Sequence, residues 1–133
     1  MIQSIHTPNA PSPAGHYSQA VVHNGLVYVS GQLGRDPARA SHPPDDIELQ
    51  TEITLRNVAS ILVAAGSDLH YVLSMTIYVS DIGDWPRVNA VYESVMGDHR
   101  PARAIVPVKD LHYGFGIEIQ CIAAVAPGHE AHS

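Results

Sequence analysis

The sequence predicts a single α/β domain: one mixed β-sheet with two helices packed on one of its faces, in the order β-β-α-β-α-β-β. Three observations carry that prediction. The 133 residues suit one compact core and are short for two. Residues 47–65 and 84–96 space their apolar side chains at helical intervals, whereas five other stretches alternate or run apolar as strands do. Each helical stretch also falls between strand stretches, the arrangement that lets helices cover a sheet.

The first fifteen residues, rich in Pro, Ser and Asn, read as an extended lead-in. From Tyr17 to Ser30, "YSQAVVHN" and "LVYVS" flank Asn24-Gly25, a strong hairpin signal, and are expected to pair antiparallel. "GQLGRDPARASHPPDD" follows as a long irregular loop of the kind that often carries function. In the first helix Leu55, Val58, Ala59 and Leu62 share a face, Asp45 or Asp46 can cap the start, and Gly66 can end it. "YVLSMTIYVSD" alternates as a strand, with Leu73, Met75, Ile77 and Val79 on one face and Val72, Ser74, Thr76 and Tyr78 on the other. The second helix places Trp85, Val88, Tyr92 and Val95 at helical spacing. Pro86 is tolerable in its first turn, and Gly97 stops it. Strands over about 102–108 and 116–126 close the order, joined by a turn, and residues 127–133 read as a flexible tail.

With both helices on one sheet face, the other face, carrying Tyr28, Ser30, Ser74, Thr76 and Tyr78, is left half-polar and uncovered. Such a face usually finds a partner, so a homo-oligomer is expected.

Composition excludes several classes. Seven basic against thirteen acidic residues give a formal net charge of −6, and no Lys/Arg cluster occurs, which disfavours nucleic-acid binding. The single cysteine, Cys121, rules out an internal disulfide and suits a reducing compartment. No apolar run is long enough to span a membrane, and the N-terminus lacks a secretory pattern, so a cytoplasmic protein is expected. Nine histidines invite a metal reading, but none falls in a ligand pattern, and neither a metal nor a nucleotide is expected. His129 and His132 belong to the tail. Cys121, Tyr78, Tyr92 and Trp85 read as packing residues.

Two charges break this pattern. In "RPARAIVPVKDLHYGFGIEIQCIAAV" each apolar strand carries one ionised residue, Arg103 in the first and Glu118 in the second. A charge in a core strand is costly unless paired or used. If the two strands form a hairpin, the charges lie near one end of it and could meet, either as a structural ion pair or as a site. Arg presents a planar fork that grips a carboxylate bidentately. A carboxylate nearby can take up and return a proton. Together they suit a small carboxylic acid and acid/base work on its neighbouring carbon.

The segments "RPARAIVPV…GIEIQCIAAV", "AGHYSQAV", "VYVSGQLG", "LRNVASILVAAGS" and "TIYVSDIGDWPRVNAVYE" together resemble the reactive intermediate deaminase (Rid, or YjgF) family, in order, from about Tyr17 to Ala126. The resemblance implies a chorismate-mutase-like fold, a homotrimer with active sites between subunits, and no cofactor. By the same resemblance Arg103 matches the carboxylate-binding arginine, and Glu118 the acid that positions the attacking water. Tyr17, Ser30, Gly31, Gln32 and Asn89 match further cleft residues. Three positions depart from the pattern: His16 for proline, Gln120 for a second glutamate, and Ile105 for a cysteine expected to share the pocket face with Arg103. The "GRDPARASHPPDD" loop and the "KDLHYGFG" turn differ too and are expected to shape the pocket entrance. His16 and His112 adjoin these segments and are candidate substrate contacts.

The implied reaction is hydrolysis of a carboxylate-bearing enamine or imine to a 2-oxo acid and ammonia. Substrates of the 2-aminoacrylate or 2-iminopropanoate type are expected, with the longer dicarboxylate 2-aminomuconate as an option. A second carboxylate would want a second cation, for which Arg35, Arg39, Arg100, Lys109 and His112 are available. Two other classes are weighed. A binding module for small carboxylates would use the same cleft without turnover, but has no need of Glu118 facing an anionic ligand. A ribonuclease fits poorly with the negative charge and the lack of a basic or stacking surface.

Overall fold

The computed structural model describes residues 1–36, 38 and 42–128. Its elements are β1 (Gln3–Ile5), β2 (Ala20–His23), β3 (Leu26–Leu33), α1 (Ile47–Ala64), β4 (Val72–Val79), α2 (Trp85–Met96), β5 (Ala102–Pro107) and β6 (Ile117–Ala124). The strands form one six-stranded sheet in the order β1-β2-β3-β6-β4-β5. Neighbours are antiparallel except β4 and β5, which run parallel and are joined by the crossover helix α2.

Local chemistry sets the boundaries. Asn24 and Gly25 both take positive φ, 52° and 76°, as a two-residue turn matched to strand twist requires. The Asp46 carboxylate accepts the Glu48 N–H at 3.0 Å and caps α1. Pro86 sits in the first turn of α2, where its missing N–H costs nothing. Both helices bury their apolar faces on one side of the sheet, against Met75, Ile77, Val79, Ile117, Ile119 and Ala123, all fully buried. The opposite face is open: Tyr28 and Leu73 are exposed there, and Ser74, Thr76 and Tyr78 are half-buried.

Three expectations are corrected. The lead-in is not wholly irregular, because Gln3–Ile5 pairs with β2 and buries Ile5. Its prolines begin only at Pro8, leaving the first residues free to join a ladder. The final two strands are not a hairpin. β6 inserts between β3 and β4, and β5 lies at the sheet edge beyond β4. The sequence carries the reason: β6 buries every second residue completely or nearly so, which suits a central strand. β5 is bracketed by Pro101 and Pro107 and exposes Ala102, Arg103 and Ala104, which suits an edge. Third, a register shift between Val72 and Ser74 turns Val72 into the core and leaves Leu73 exposed, reversing their expected faces. Of the expected tail, residues 129–133 lie outside the described residues, as does Arg39.

Candidate functional site

Arg103 and Glu118 stand on opposite faces of the sheet. Arg103 is registered with Met75, whose side chain is under the helices, and Glu118 with Tyr78, on the open face. Because β4 separates their strands, their backbones are roughly 10 Å apart across the sheet before their register offset is added. The hairpin expected to bring them together is replaced by this strand order, and the two form no ion pair. Each has its own surroundings.

Glu118 lies in a slot made by a missing side chain. A Cβ on Gly31 would come within 2.4 Å of Glu118 Oε2 and 3.0 Å of its Cδ, so the carboxyl group rests on bare backbone. The register of β3 on β6 shifts between Val29 and Gln32, which re-aims the strand at this point. Ser30 is fixed here too: its hydroxyl donates to Ser18 O at 2.6 Å and its N–H to Gln19 O at 2.9 Å. Buried Gln19 in turn holds the preceding segment, accepting from Thr7 N and donating to Thr7 O and Pro11 O. That scaffold presents Tyr17, whose Oη accepts the Ala14 N–H at 3.2 Å. The result is a cavity of about 330 Å³ lined by Ala14, Gly15, Tyr17, Ser30, Gly31, Leu33, Arg35, His112, Tyr113 and Glu118.

Arg103 is mounted by one face of α2. Residues 85, 89 and 92 fall at i, i+4 and i+7, a single stripe of the helix. The Arg103 guanidinium carbon lies 4.9 Å from the ring centres of both Trp85 and Tyr92, and Nη1 donates to Asn89 Oδ1 at 3.0 Å. Asn89 Nδ2 donates to Glu93 Oε1 at 2.8 Å, so both ends of the amide are engaged. Burial pushes the Tyr92 phenol up, with the Arg103 charge pulling the other way. Its Oη is buried without a hydrogen-bond partner among the described residues, so Tyr92 meets Arg103 through its ring. Tyr92 and Arg103 both border a second, larger depression of about 730 Å³ that extends to Met96, His99 and Arg100.

The expected site residues therefore divide. Tyr17, Ser30, Gly31, Glu118 and His112 share one cavity. His16 is exposed and lines none of the described cavities. Asn89 lies beside Arg103 on α2 and holds its guanidinium, away from the Glu118 cavity. Ile105 is registered with buried Ile77 and packs against the core, so it lines none of the described cavities. Trp85 and Tyr92 pack as expected, but on a guanidinium, a role signalled only by their spacing with Asn89. Arg35, one of the candidate second cations, and Tyr113 line the Glu118 cavity from the two loops expected at its entrance. Among the described residues no group of three or more His, Cys, Asp or Glu clusters as metal ligands would, and no helix is long and apolar enough to cross a membrane.

A single helix-backed sheet with a carboxylate sunk against bare backbone on one face and a stacked guanidinium on the other defines a small α/β protein with two separate polar clefts. Comparison with known proteins gives it a family. The chain matches the family described as Endoribonuclease L-PSP over residues 7–125 and belongs to it; this is the Rid/YjgF family. It is 40% identical over 123 residues to the 2-iminobutanoate/2-iminopropanoate deaminase of Bos taurus, covering 92% of this chain and 90% of that one. Among solved structures it is similar to RidA from an Antarctic Psychrobacter, at 36% identity with TM-score 0.87, covering 92% of this chain and 99% of that one. It is also similar to E. coli TdcF with bound serine, at 32% identity with TM-score 0.87, covering 93% and 99%. The chorismate-mutase-like fold expected from the sequence motifs is the fold observed.

Proposed function

We propose that this protein is a cofactor-independent hydrolase that deaminates small carboxylate-bearing imines and their enamine tautomers, of the 2-iminopropanoate or 2-aminoacrylate type, to 2-oxo acids and ammonia. The bovine relative's name supports the reaction class, and the serine bound to TdcF supports a cleft for a small amino-acid-like carboxylate. The observation that carries the mechanism is the placement of Arg103 and Glu118 on opposite faces. One chain cannot bring both to one small substrate, but two copies can, with the open face of one subunit set against the helix-flanked edge of the next. The homotrimer expected from the family resemblance supplies such clefts, and a cytoplasmic setting is part of the same proposal.

In that cleft the fork of Arg103, held by Asn89 along one edge and by two rings on its faces, takes the substrate carboxylate and fixes the imine carbon. Glu118 of the neighbouring subunit accepts a proton from water as the oxygen attacks that carbon. It then returns the proton to nitrogen as the tetrahedral carbinolamine collapses; the C–N bond breaks, the C=O bond forms, and the hydroxyl proton passes to the departing ammonia, which leaves as ammonium. The sum is iminium carboxylate plus water giving 2-oxo acid plus ammonium, with no change in oxidation state. The protonated imine is itself the electrophile. Tyr17 and the backbone at Gly31 border the place where water and nitrogen must sit.

Subunit mixing tests this reading. Arg103→Ala and Glu118→Gln are each expected to abolish acceleration of hydrolysis of freshly generated 2-iminopropanoate. Reassembled one to one, the two inactive variants should recover about a quarter of wild-type activity, because some clefts regain both intact residues. Recovery of none, or a stable monomer with full activity, overturns the shared site. Binding of small acids through Arg103 without turnover of any imine supports a recognition module instead. RNA degradation by the clean protein, lost on Arg103→Ala, supports the ribonuclease that the family's description names.

A further inference from the structure

Building on that deaminase reading, we infer that Arg35 is a specificity-determining residue that receives a second carboxylate at the far end of the substrate, so that the preferred substrates are imines of dicarboxylic acids. The inference starts from two loops. Arg35 lies in the "GRDPARASHPPDD" stretch and Tyr113 in the "KDLHYGFG" turn, the two segments expected to shape the pocket entrance. They meet: the Arg35 guanidinium carbon stands 5.8 Å from the Tyr113 ring centre, and both line the Glu118 cavity.

The cluster is built. Buried Asn57 on α1 donates from Nδ2 to Leu33 O at 3.1 Å and to Arg35 O at 2.9 Å, pinning the main chain from which Arg35 projects. Tyr113 takes a left-handed backbone conformation, φ 60°, which a non-glycine residue adopts only when its surroundings hold it. His112 stacks edge-on against it with ring centres 3.9 Å apart. Among the described residues Arg35 forms no ion pair, whereas Arg56 and Arg87 are each paired with carboxylates. A half-buried, unneutralised guanidinium therefore shares a cavity with Glu118 in a protein whose net charge is −6.

Charge accounting favours a dianionic substrate. Arg103 of the neighbouring subunit answers the carboxylate beside the reacting carbon, the protonated imine nitrogen answers Glu118, and Arg35 remains to answer a second carboxylate. A cavity of about 330 Å³ has room for a short diacid. A monocarboxylate would leave Arg35 facing an apolar end, forfeiting a charge-assisted hydrogen-bonded pair.

The experiment compares 2-iminopropanoate with 2-iminosuccinate and 2-iminoglutarate, each generated in place by an amino-acid oxidase, for wild type, Arg35→Met and Arg35→Lys. In parallel, calorimetry compares 2-oxobutanoate with 2-oxoglutarate as stable ligands. Wild type should favour the diacids, and Arg35→Met should lower the diacid-to-monoacid ratio of kcat/KM by roughly tenfold to a hundredfold, mainly through KM, with Arg35→Lys restoring part of it. Turnover of the monoacid with no diacid preference, or a ratio that Arg35→Met leaves unchanged, overturns the inference and leaves the deaminase reading standing. If no imine is hydrolysed, the deaminase reading fails and calorimetry decides: a diacid preference lost in Arg35→Met supports the role of Arg35, and its absence overturns it.

Discussion

Arg103 and Glu118 are held by opposite means. Arg103, although solvent-exposed, is held by several contacts: two rings and an amide, all from α2, fix its guanidinium. Glu118 is placed by an omission, the missing side chain of Gly31, on a strand whose register slips at that point. The arginine mount is therefore robust to the loss of any one support and degrades in steps. The glutamate slot has a single support and should fail at once.

The largest effect breaks both halves together. Arg103→Ala and Glu118→Gln are each expected to lower kcat/KM by at least about a hundredfold, the scale of losing orientation or general acid/base help. Steady-state kinetics on 2-iminopropanoate checks this. Gly31→Ala comes next and isolates the slot. The new methyl group displaces only the end of a flexible side chain, so thermal unfolding should shift little, while kcat falls by about a hundredfold because the carboxylate is moved by an ångström or more. A large loss of stability with intact kcat would show that Gly31 serves the backbone instead.

The mount should yield gradually. Trp85→Ala, Asn89→Ala and Tyr92→Leu are each expected to raise KM by roughly threefold to tenfold with a smaller change in kcat, in line with the modest strength of a partly exposed cation–π contact. Tyr92→Phe sharpens the comparison. Its ring stays over Arg103 while a hydroxyl without a hydrogen-bond partner is removed, so KM should stay near wild type.

These contrasts also show what sequence pattern can reach. Periodicity located α1 and α2, since Leu55, Val58 and Leu62 or Val88 and Tyr92 announce a buried helical stripe, and Asn24-Gly25 announced its turn. Pattern failed where pairing is non-local. Nothing in the spacing of residues 103 and 118 says that β6 crosses to the sheet centre, although Pro101 and Pro107 marked β5 as an edge strand. The site was half legible for the same reason. Arg103 and Glu118 stood out as charges in apolar runs, but the partners that give them purpose come from α2 and from Gly31, distant along the chain. The single-residue slip at Val72 and Leu73 shows the finer limit, because a bulge leaves no mark in an alternating run.

The last expected effect touches stability alone and concerns a group outside both clefts. Cys121 is registered with Met75 in the helix-covered core, and burial pushes its thiol up to about 12. The folded chain thus keeps this proton at pH values where the unfolded chain, with an ordinary thiol near 9, has lost it. Below about pH 8 the thiol is neutral in both states and contributes no pH dependence. Between about pH 9 and 12 the unfolded state binds fewer protons, so stability falls as pH rises, by at most about 1.4 kcal/mol per pH unit from this group. Tyr92, also raised, adds a fall of the same sign above about pH 10. Denaturant unfolding of wild type and Cys121→Ala across this range separates the two. The variant should start less stable because it leaves a small cavity, yet lose less on the way to pH 12. Parallel curves would mean that Cys121 titrates alike in both states, and that the core beneath Met75 admits water that the structure excludes.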